Sequence, residues 1–283
     1  FSPLNKNCHA YMGSEIFNFL DFDKKKLNLF LTQSGETIDI VEPLKKLTLK
    51  GLKTAALVNR SDSTVHRLAT ASQLIEAGPE IAVVSTKAFT AKLLSLLAIK
   101  AHFLNETTQF IGQLEKLTSQ LNTIFSDQYQ SQYLQPVVAK LLQARSSFIL
   151  GRGLSYPIAL EFALKIKESA YLHAEAFAAG ELKHGVLALI TKETPCLILA
   201  PKNEHYRAVI SNAQEIKARG GYTIGISSQA HSAFDMFIPV SDTQLTTIIS
   251  HTIIGQLLAY YSSIRQGLNP DKPRNLAKSV TVK

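Results

Sequence analysis

The chain has 283 residues, a formal net charge of +8 and 46% hydrophobic residues, which suffices for one large domain or two ordinary ones with a sizeable core. It has no apolar run near the roughly 20 residues of a membrane span. It begins without an initiator Met, and its first residues do not resemble a signal peptide. Its two distant cysteines give no disulfide framework, so a reducing, cytoplasmic location is expected. The positive charge suits an anionic small substrate as well as nucleic acid, but neither a zinc-finger spacing nor an aromatic-basic RNA motif accompanies it, and charge alone does not choose between the two partners.

The first half of the chain alternates short apolar runs with amphipathic segments, a pattern that predicts strands and helices in turn. The predicted elements are, in chain order, a strand at 27–31, a helix ending at Gly51, a strand at 54–58, a short helix near 64–70, a strand beginning at SQLIEAG, and helices at 86–103, 105–120 and 134–145. The strand at 27–31 has no strand–helix unit ahead of it, so this half is expected to be the shorter lobe.

The pattern restarts in the second half. The predicted elements are a strand at 146–150, a long helix after GRGLSYP, a strand at 194–200, a helix over HYRAVISNAQEIKARGG, strands at YTIGIS and MFIPV, and a helix at 246–265. Such alternation predicts an α/β fold of two lobes, each a mostly parallel sheet between layers of helices. The lobes are expected at 1–105 and 144–268, with connecting helices at 106–143 and a loop-like tail at 269–283.

The stretch 161–189, EFALKIKESAYLHAEAFAAGELKHGVLAL, is chemically the most informative, and we interpret it as one helix and the turn that follows. Lys165 and Glu168 are three residues apart and share a helix face. With His184 close behind, the stretch contains the amine, carboxylate and imidazole of a proton-transfer site. Spacing alone favours the alternative, an ion pair on a solvated face.

The segment Thr32–Thr37, TQSGET, lies directly after a strand and before a helix. Hydroxyls, a glycine and the free N–H groups of a helix start can form an anion pocket, and open α/β sheets bind ligands at this end of their strands. An ordinary capped turn explains the same residues equally well. If a ligand binds, a phosphate monoester fits better than a dinucleotide, because the glycine fingerprint of dinucleotide sites is missing.

Three further motifs have two interpretations each. Gly151–Gly153 predicts a tight turn rather than a nicotinamide site, because no ribose-binding acidic residue follows at the required spacing. Ser85 either caps the helix that begins after it or contacts a polyol substrate. Lys278 lies in the tail between apolar residues, which suggests that the tail docks onto the body, and a docked lysine could form a Schiff base with a ketose.

No metal or other cofactor is expected. The chain contains no H-E-x-x-H, and the H-x-E at His173 lacks the P-C-x-x-C half of a zinc deaminase. His173 is therefore interpreted as a hydrogen-bonded structural histidine.

Four segments carry a family likeness: TQSGET, EIAVVSTKAFT, ALEFALKIKESAYLHAEAFAAGELKHG and PRNLAKSVTV. In this order they closely resemble the isomerase part of the glutamine–fructose-6-phosphate aminotransferases, a pair of sugar isomerase (SIS) domains, and the likeness covers nearly the whole chain. The resemblance implies synthesis of glucosamine 6-phosphate from fructose 6-phosphate and ammonia in a homodimer, with a glutaminase domain in the full-length protein and with neither nucleic acid nor membrane as a partner.

The resemblance also implies residue roles. Glu168 would move the proton between C2 and C1 of the sugar, with Lys165 assisting near it. His184 would open the sugar ring in the neighbouring subunit's site, and Lys278 would form the imine with the open-chain ketose. The substrate and its phosphate would be held by Thr32, Gln33, Ser34, Thr37, Glu80, Val83, Ser85 and Ala277.

The chain also departs from the family pattern. It carries no glutaminase domain, and the first lobe lacks the family's first strand and a Gly-Thr-Ser turn, so an N-terminally truncated lobe is expected. Thr32 replaces a usual Ser, Val186 a usual Pro and Phe162 a usual Gly. The alternatives are a standalone SIS-type isomerase or glucosamine-6-phosphate deaminase, and a non-catalytic sugar-phosphate sensor.

Overall fold

The computed structural model describes residues 8–19 and 22–279. They form two compact units. Unit 1 contains the described residues up to Thr107 together with the tail from Arg274, and unit 2 extends over Thr108–Pro273. Each unit is built on a parallel sheet flanked by helices, as the alternation of strands and helices predicts.

Unit 1 is built on a three-stranded parallel sheet with the strand order β1-β2-β3. Its elements are a 3₁₀ helix at Gly13–Phe19, β1 Asn28–Leu31, α1 Ile38–Leu49, β2 Thr54–Val58, α2 Thr64–Leu68, β3 Ala71–Leu74 and α3 Lys87–Phe103. Leu44 and Leu47 of α1 are fully buried and share a core with Phe30 of β1. The helix therefore covers one face of the sheet.

Unit 2 is built on a five-stranded parallel sheet with the strand order β5-β4-β6-β7-β8. Its helices are α4 Thr107–Ile124, α5 Asp127–Tyr129, a π-helix at Gln130–Leu134, α6 Gln135–Leu142, α7 Ser155–Ala170, α8 Tyr206–Lys217 and α9 Thr247–Arg265. Its strands are β4 Ser146–Gly151, β5 His173–Ala178, β6 Pro195–Ala200, β7 Tyr222–Ser227 and β8 Met236–Pro239. Every residue of the central strand β6 is buried, as expected for a parallel strand covered on both faces. Within the part of the chain described, no helix has the length and apolarity needed to cross a bilayer.

The interpretation of 161–189 as one helix and a turn was wrong in one respect. Helix α7 ends at Ala170 and is followed by Tyr171, which has a left-handed φ of 57°. The edge strand β5 comes next and pairs in parallel with β4. His173 and Glu175 are exposed while Ala174 between them is buried, the alternation of a strand with one covered face. The two polar residues of the H-x-E motif therefore lie on the exposed face of an edge strand.

Helix α9 carries a histidine, His251, that is fully buried. Among the described residues, neither ring nitrogen has a hydrogen-bond partner, and burial lowers the pKa of this side chain from 6.5 to about 4. The unfolded chain therefore binds a proton near pH 6.5 that the folded chain takes up only near pH 4. A histidine whose pKa is depressed in this way contributes stability above its unfolded pKa, and the contribution is lost as the pH falls.

Replacing His251 with leucine is expected to remove this acid sensitivity. As the pH falls from 6.5 to the folded pKa of about 4, the free energy of unfolding of the wild type should drop by about 2–3 kcal/mol more than that of His251→Leu. In neutral buffer the variant should be as stable as the wild type or more stable, because the substitution removes two buried polar atoms that have no partner. Urea unfolding at a series of pH values measures both effects, with His173→Leu, on the exposed face of β5, as the control. Parallel stability curves for the wild type and His251→Leu would contradict the assignment.

Candidate active-site residues

The loop after β1 is folded on its own hydroxyl groups. Thr32 and Ser34 are buried. The Gly35 amide donates to Thr32 Oγ1 at 3.2 Å, and the Glu36 amide donates to Ser34 Oγ at 3.2 Å. Thr37 is the N-cap residue of α1 but makes no side-chain capping bond, and its Oγ1 lies 3.5 Å from Ser34 Oγ. The Thr37 side chain therefore does not cap α1, as an ordinary capped turn would require, and its hydroxyl lies beside that of Ser34 instead.

Gly35 allows this loop to pack closely against the loop after β2. Its φ is +69°, and a Cβ at this position would lie 2.3 Å from Ser63 Oγ. Ser63 caps α2 through a bond from the His66 amide, and the Glu36 carboxylate accepts the Thr64 amide at 2.6 Å. The two loops follow adjacent parallel strands and meet at the carboxyl edge of the sheet, where ligands of open α/β sheets bind.

Glu80 organises the segment that leads into α3. Its side chain is only 3% exposed. One carboxylate oxygen, Oε1, accepts the backbone amides of Thr86 at 2.8 Å and Ala88 at 3.2 Å, and the other, Oε2, accepts the Ser85 hydroxyl at 3.0 Å. Ser85 is therefore not the cap of α3, as one interpretation of the sequence predicted, because Glu80 caps this helix from outside it.

The electrostatics of Glu80 follow from these contacts. Desolvation by burial raises its pKa, but the hydrogen bonds from Thr86, Ala88 and Ser85, together with the charge of Lys278, more than offset burial and hold the pKa below its ordinary value. Glu80 is consequently a fixed anion at the N-terminus of α3, where the helix dipole also favours negative charge.

The tail docks onto unit 1, as its flanking apolar residues suggested. Lys278 Nζ donates to the Ala82 carbonyl at 2.6 Å and to Glu80 Oε2 at 3.3 Å, and Ser279 Oγ donates to Ser34 Oγ at 3.3 Å. The tail thus contacts both the loop after β1 and the segment after β3. The Lys278 side chain keeps 30% of its exposure and is therefore not sealed inside unit 1.

The remaining residues proposed for substrate binding lie on the same loops of unit 1. Gln33 is half-buried, and its carbonyl accepts the Asn59 amide at 3.2 Å. Val83 is half-buried and Ala277 is exposed.

Lys165 and Glu168 form a partly buried ion pair on α7. Lys165 is 4% exposed, and its Nζ lies 2.5 Å from Glu168 Oε2 and 3.5 Å from Glu161 Oε1. The solvated face favoured by spacing alone is therefore wrong for Lys165, because most of α7 is buried. Glu168 keeps 24% of its side-chain exposure, so its carboxylate is positioned by a buried amine and still open to a ligand.

His184 is not brought to this pair. It is exposed in a turn, where its amide donates to the Glu181 carbonyl at 3.0 Å. Within the described part of unit 2, its side chain makes no hydrogen bond or ion pair with Lys165 or Glu168. Of the sequence-predicted proton-transfer group, the structure therefore joins the amine and the carboxylate only.

Two contacts at the candidate site were not predicted. Glu161 is a second carboxylate beside Lys165, and its i,i+4 spacing could have indicated it. Ser279 contacts Ser34, which is 245 positions away in sequence, so no local pattern could reveal the contact.

The structure shows how the chain accommodates Phe162 and Val186, two of its departures from the family pattern. Phe162 is buried, and a Cβ on Gly255 of α9 would lie 2.6 Å from its ring, so the glycine makes the room that the larger side chain needs. Val186 opens a 3₁₀ helix at Val186–Leu189 and packs against the core of unit 2.

The glycine turn after β4 is tight, as predicted. A Cβ on Gly151 would lie 2.2 Å from the Ser155 carbonyl, and Gly153 has a φ of +57°. No group of three or more potential metal-binding side chains occurs within residues 8–19 and 22–279.

Comparison with known proteins places these residues in a family context. The family model described as "SIS domain" matches residues 4–100 and 140–265. The isomerizing glutamine–fructose-6-phosphate aminotransferase of Caldanaerobacter subterraneus is 36% identical over 274 residues, which are 92% of this chain and 44% of the relative. That of Lactiplantibacillus plantarum is 42% identical over 264 residues, 90% of this chain and 43% of the relative. The chain thus spans less than half the length of these curated relatives.

Solved structures give the same result. The C-terminal domain of glucosamine-fructose-6-phosphate aminotransferase from Francisella tularensis superposes with a TM-score of 0.84 at 31% identity, covering 95% of this chain and 79% of that chain. Glucosamine-6-phosphate deaminase from Thermotoga maritima superposes with a TM-score of 0.74 at 22% identity over 95% of this chain and 80% of that one, a likeness of fold alone.

Proposed function

Because the chain belongs to the SIS domain family, we propose that it is the isomerase portion of an isomerizing glutamine–fructose-6-phosphate aminotransferase. It would convert fructose 6-phosphate and ammonia to glucosamine 6-phosphate, with the ammonia released from glutamine by a glutaminase domain of the full-length protein. The observation that carries the proposal is the Lys165–Glu168 pair, in which a buried amine holds a partly exposed carboxylate at 2.5 Å. A proton-transfer base needs such a positioned, accessible carboxylate.

Substrate binding is assigned to the loops of unit 1. The sugar phosphate binds Thr32, Gln33, Ser34 and Thr37, and the sugar contacts Val83, Ser85 and Ala277, with Glu80 beside them. The support is the cluster of buried hydroxyls at the carboxyl end of β1, which suits an anion. The replacement of the family's usual Ser by Thr32 keeps a hydroxyl at that position.

The chemistry begins with an imine. The neutral amine of Lys278 attacks C2 of the open-chain ketose and water leaves, which makes C2 electron-poor. Ammonia then attacks C2 and the lysine amine leaves, so that C2 carries the nitrogen of ammonia. Glu168 takes a proton from C1 and returns it at C2, while the C1 hydroxyl gives up its proton and the nitrogen on C2 gains one, so that the sugar becomes an aldose with an amino group at C2. No oxidant or reductant is consumed, because the electrons move only between C1 and C2.

Ring opening is assigned to His184 acting in the site of a second subunit. The support is its exposure and its separation from the Lys165–Glu168 pair within unit 2. The proposal therefore includes a cytoplasmic homodimer with shared active sites. It also includes the domain organisation expected from the sequence, with SIS lobes at 1–105 and 144–268, connecting helices at 106–143 and the lysine-bearing tail at 269–283.

Turnover tests the proposal directly. Incubation with fructose 6-phosphate and ammonium should yield glucosamine 6-phosphate, and without ammonium it should yield glucose 6-phosphate. Binding of the sugar without either product would favour a sensor. Rapid release of ammonia from glucosamine 6-phosphate, without measurable synthesis, would favour a deaminase.

A further inference from the structure

We infer that Glu80 is the positioning residue for Lys278, holding the amine where it attacks the ketose and stabilising the protonated imine that forms. This inference rests on the proposed imine at Lys278. It goes further in assigning Glu80 a role that acts through the lysine rather than through the sugar.

The two oxygens of the Glu80 carboxylate have separate tasks. Oε1 accepts the amides of Thr86 and Ala88 and so caps α3. Oε2 accepts the Ser85 hydroxyl at 3.0 Å and the Lys278 amine at 3.3 Å. Because Oε1 is fixed by two backbone donors in a buried side chain, Oε2 cannot move away from the lysine without uncapping the helix.

Lys278 depends on this anchor for its position. The described part of the tail, up to Ser279, contains no helix or strand that would orient the side chain. A lysine has a long flexible stem, and ordering it costs rotamer entropy that specific contacts must offset. Its two acceptors, Glu80 Oε2 and the Ala82 carbonyl, both belong to the segment that leads into α3. The N-terminus of α3 therefore determines where the amine lies.

Charge gives Glu80 a second effect along the reaction. An ammonium has three N–H bonds, whereas a protonated imine has one, so the two present contacts cannot both persist after attack. A buried carboxylate that stays ionised favours the positively charged imine over the neutral one, and the positive charge makes C2 a stronger electron acceptor. The low pKa of Glu80 ensures that it remains a carboxylate for this purpose.

Glu80→Gln separates these effects from helix capping. The amide oxygen can replace Oε1, while the amide NH₂ replaces Oε2 and presents donors to the lysine amine. We expect kcat to fall by about 10- to 100-fold with KM changed by less than about threefold, as for an interaction used after substrate binding. Borohydride reduction in the presence of fructose 6-phosphate, followed by mass spectrometry of the peptide containing Lys278, should show a similar loss of trapped imine. Glu106→Gln, an exposed glutamate of unit 1, is the matched control and should trap like the wild type.

Ser85→Ala provides a second variant in case Glu80→Gln does not fold. It removes the hydroxyl bond to Oε2, together with the sugar contact assigned to Ser85 above, and keeps both the charge and the cap, so trapping is compared at saturating sugar. At saturating sugar it should reduce trapping by a smaller factor, about threefold to tenfold. Failure to trap any adduct at Lys278 in the wild type would refute the imine, and with it the proposed function. If the wild type traps normally and Glu80→Gln traps equally well, the role of Glu80 alone is refuted. Where Glu80→Gln does not fold, equal trapping in Ser85→Ala refutes it.

Discussion

Glu168→Gln is expected to lower the rate of glucosamine 6-phosphate formation by about 10²–10⁴-fold, the usual contribution of a general base. The amide keeps the shape of the side chain but cannot accept a proton from C1. The loop proposed to bind the phosphate belongs to unit 1 and is untouched, so the dissociation constant for fructose 6-phosphate should change by less than about threefold. Steady-state kinetics and calorimetric binding measure the two quantities.

The matched control for this substitution is Glu175→Gln. Glu175 is also a glutamate of unit 2, but it lies on the exposed face of the edge strand β5. Near wild-type rates are expected for it. A Glu168→Gln variant that turns over at the wild-type rate would exclude Glu168 as the base.

Lys278→Met is expected to abolish imine trapping and to reduce amino-sugar synthesis by at least about 100-fold, because the described tail from Arg274 onwards contains no other amine that could attack C2. The fold should survive, since Ser85, Thr86 and Ala88 still satisfy the Glu80 carboxylate. Mass spectrometry after borohydride reduction and an ammonia-dependent synthesis assay measure these effects.

Lys272→Met is the control for the lysine, since Lys272 is exposed. It should retain both trapping and synthesis. If Lys278→Met still gave a sugar adduct on another residue together with full activity, the imine would have to be assigned elsewhere.

Much of the fold could be predicted from local pattern. Short apolar runs bounded by polar turns marked β1, β2, β4 and β6. For β2, β4 and β6 the reason is burial, because parallel strands covered on both faces are nearly continuous in hydrophobic residues. The strand β5 was not predicted because HAEAFA is rich in alanine, which favours a helix. It also follows helix α7 after only a short break. The alternation of the polar residues His173 and Glu175 with alanines is the period-2 signal in the sequence that could have identified it.

The candidate site was less predictable than the fold. The residue types at 32–37, 165 and 168 indicated anion binding and proton transfer, but not which side chains are buried. Burial of Lys165 depends on the packing of α7 against α9, about ninety positions further along the chain, and no local period reports it. Glu80 caps α3 although it lies six residues before Thr86, whose amide it accepts. The usual capping patterns concern residues at the helix start, so they do not predict this contact.

The proposed chemistry is tested most directly by solvent isotope exchange. The wild-type chain is incubated with fructose 6-phosphate in D₂O, and the sugar is followed by NMR. Proton transfer through Glu168 predicts deuterium at C1 of recovered fructose 6-phosphate and at C2 of the aldose product, with both signals lost in Glu168→Gln. A folded chain that binds the sugar, yet returns it without deuterium at C1 and without any aldose, would contradict the proposed isomerase function.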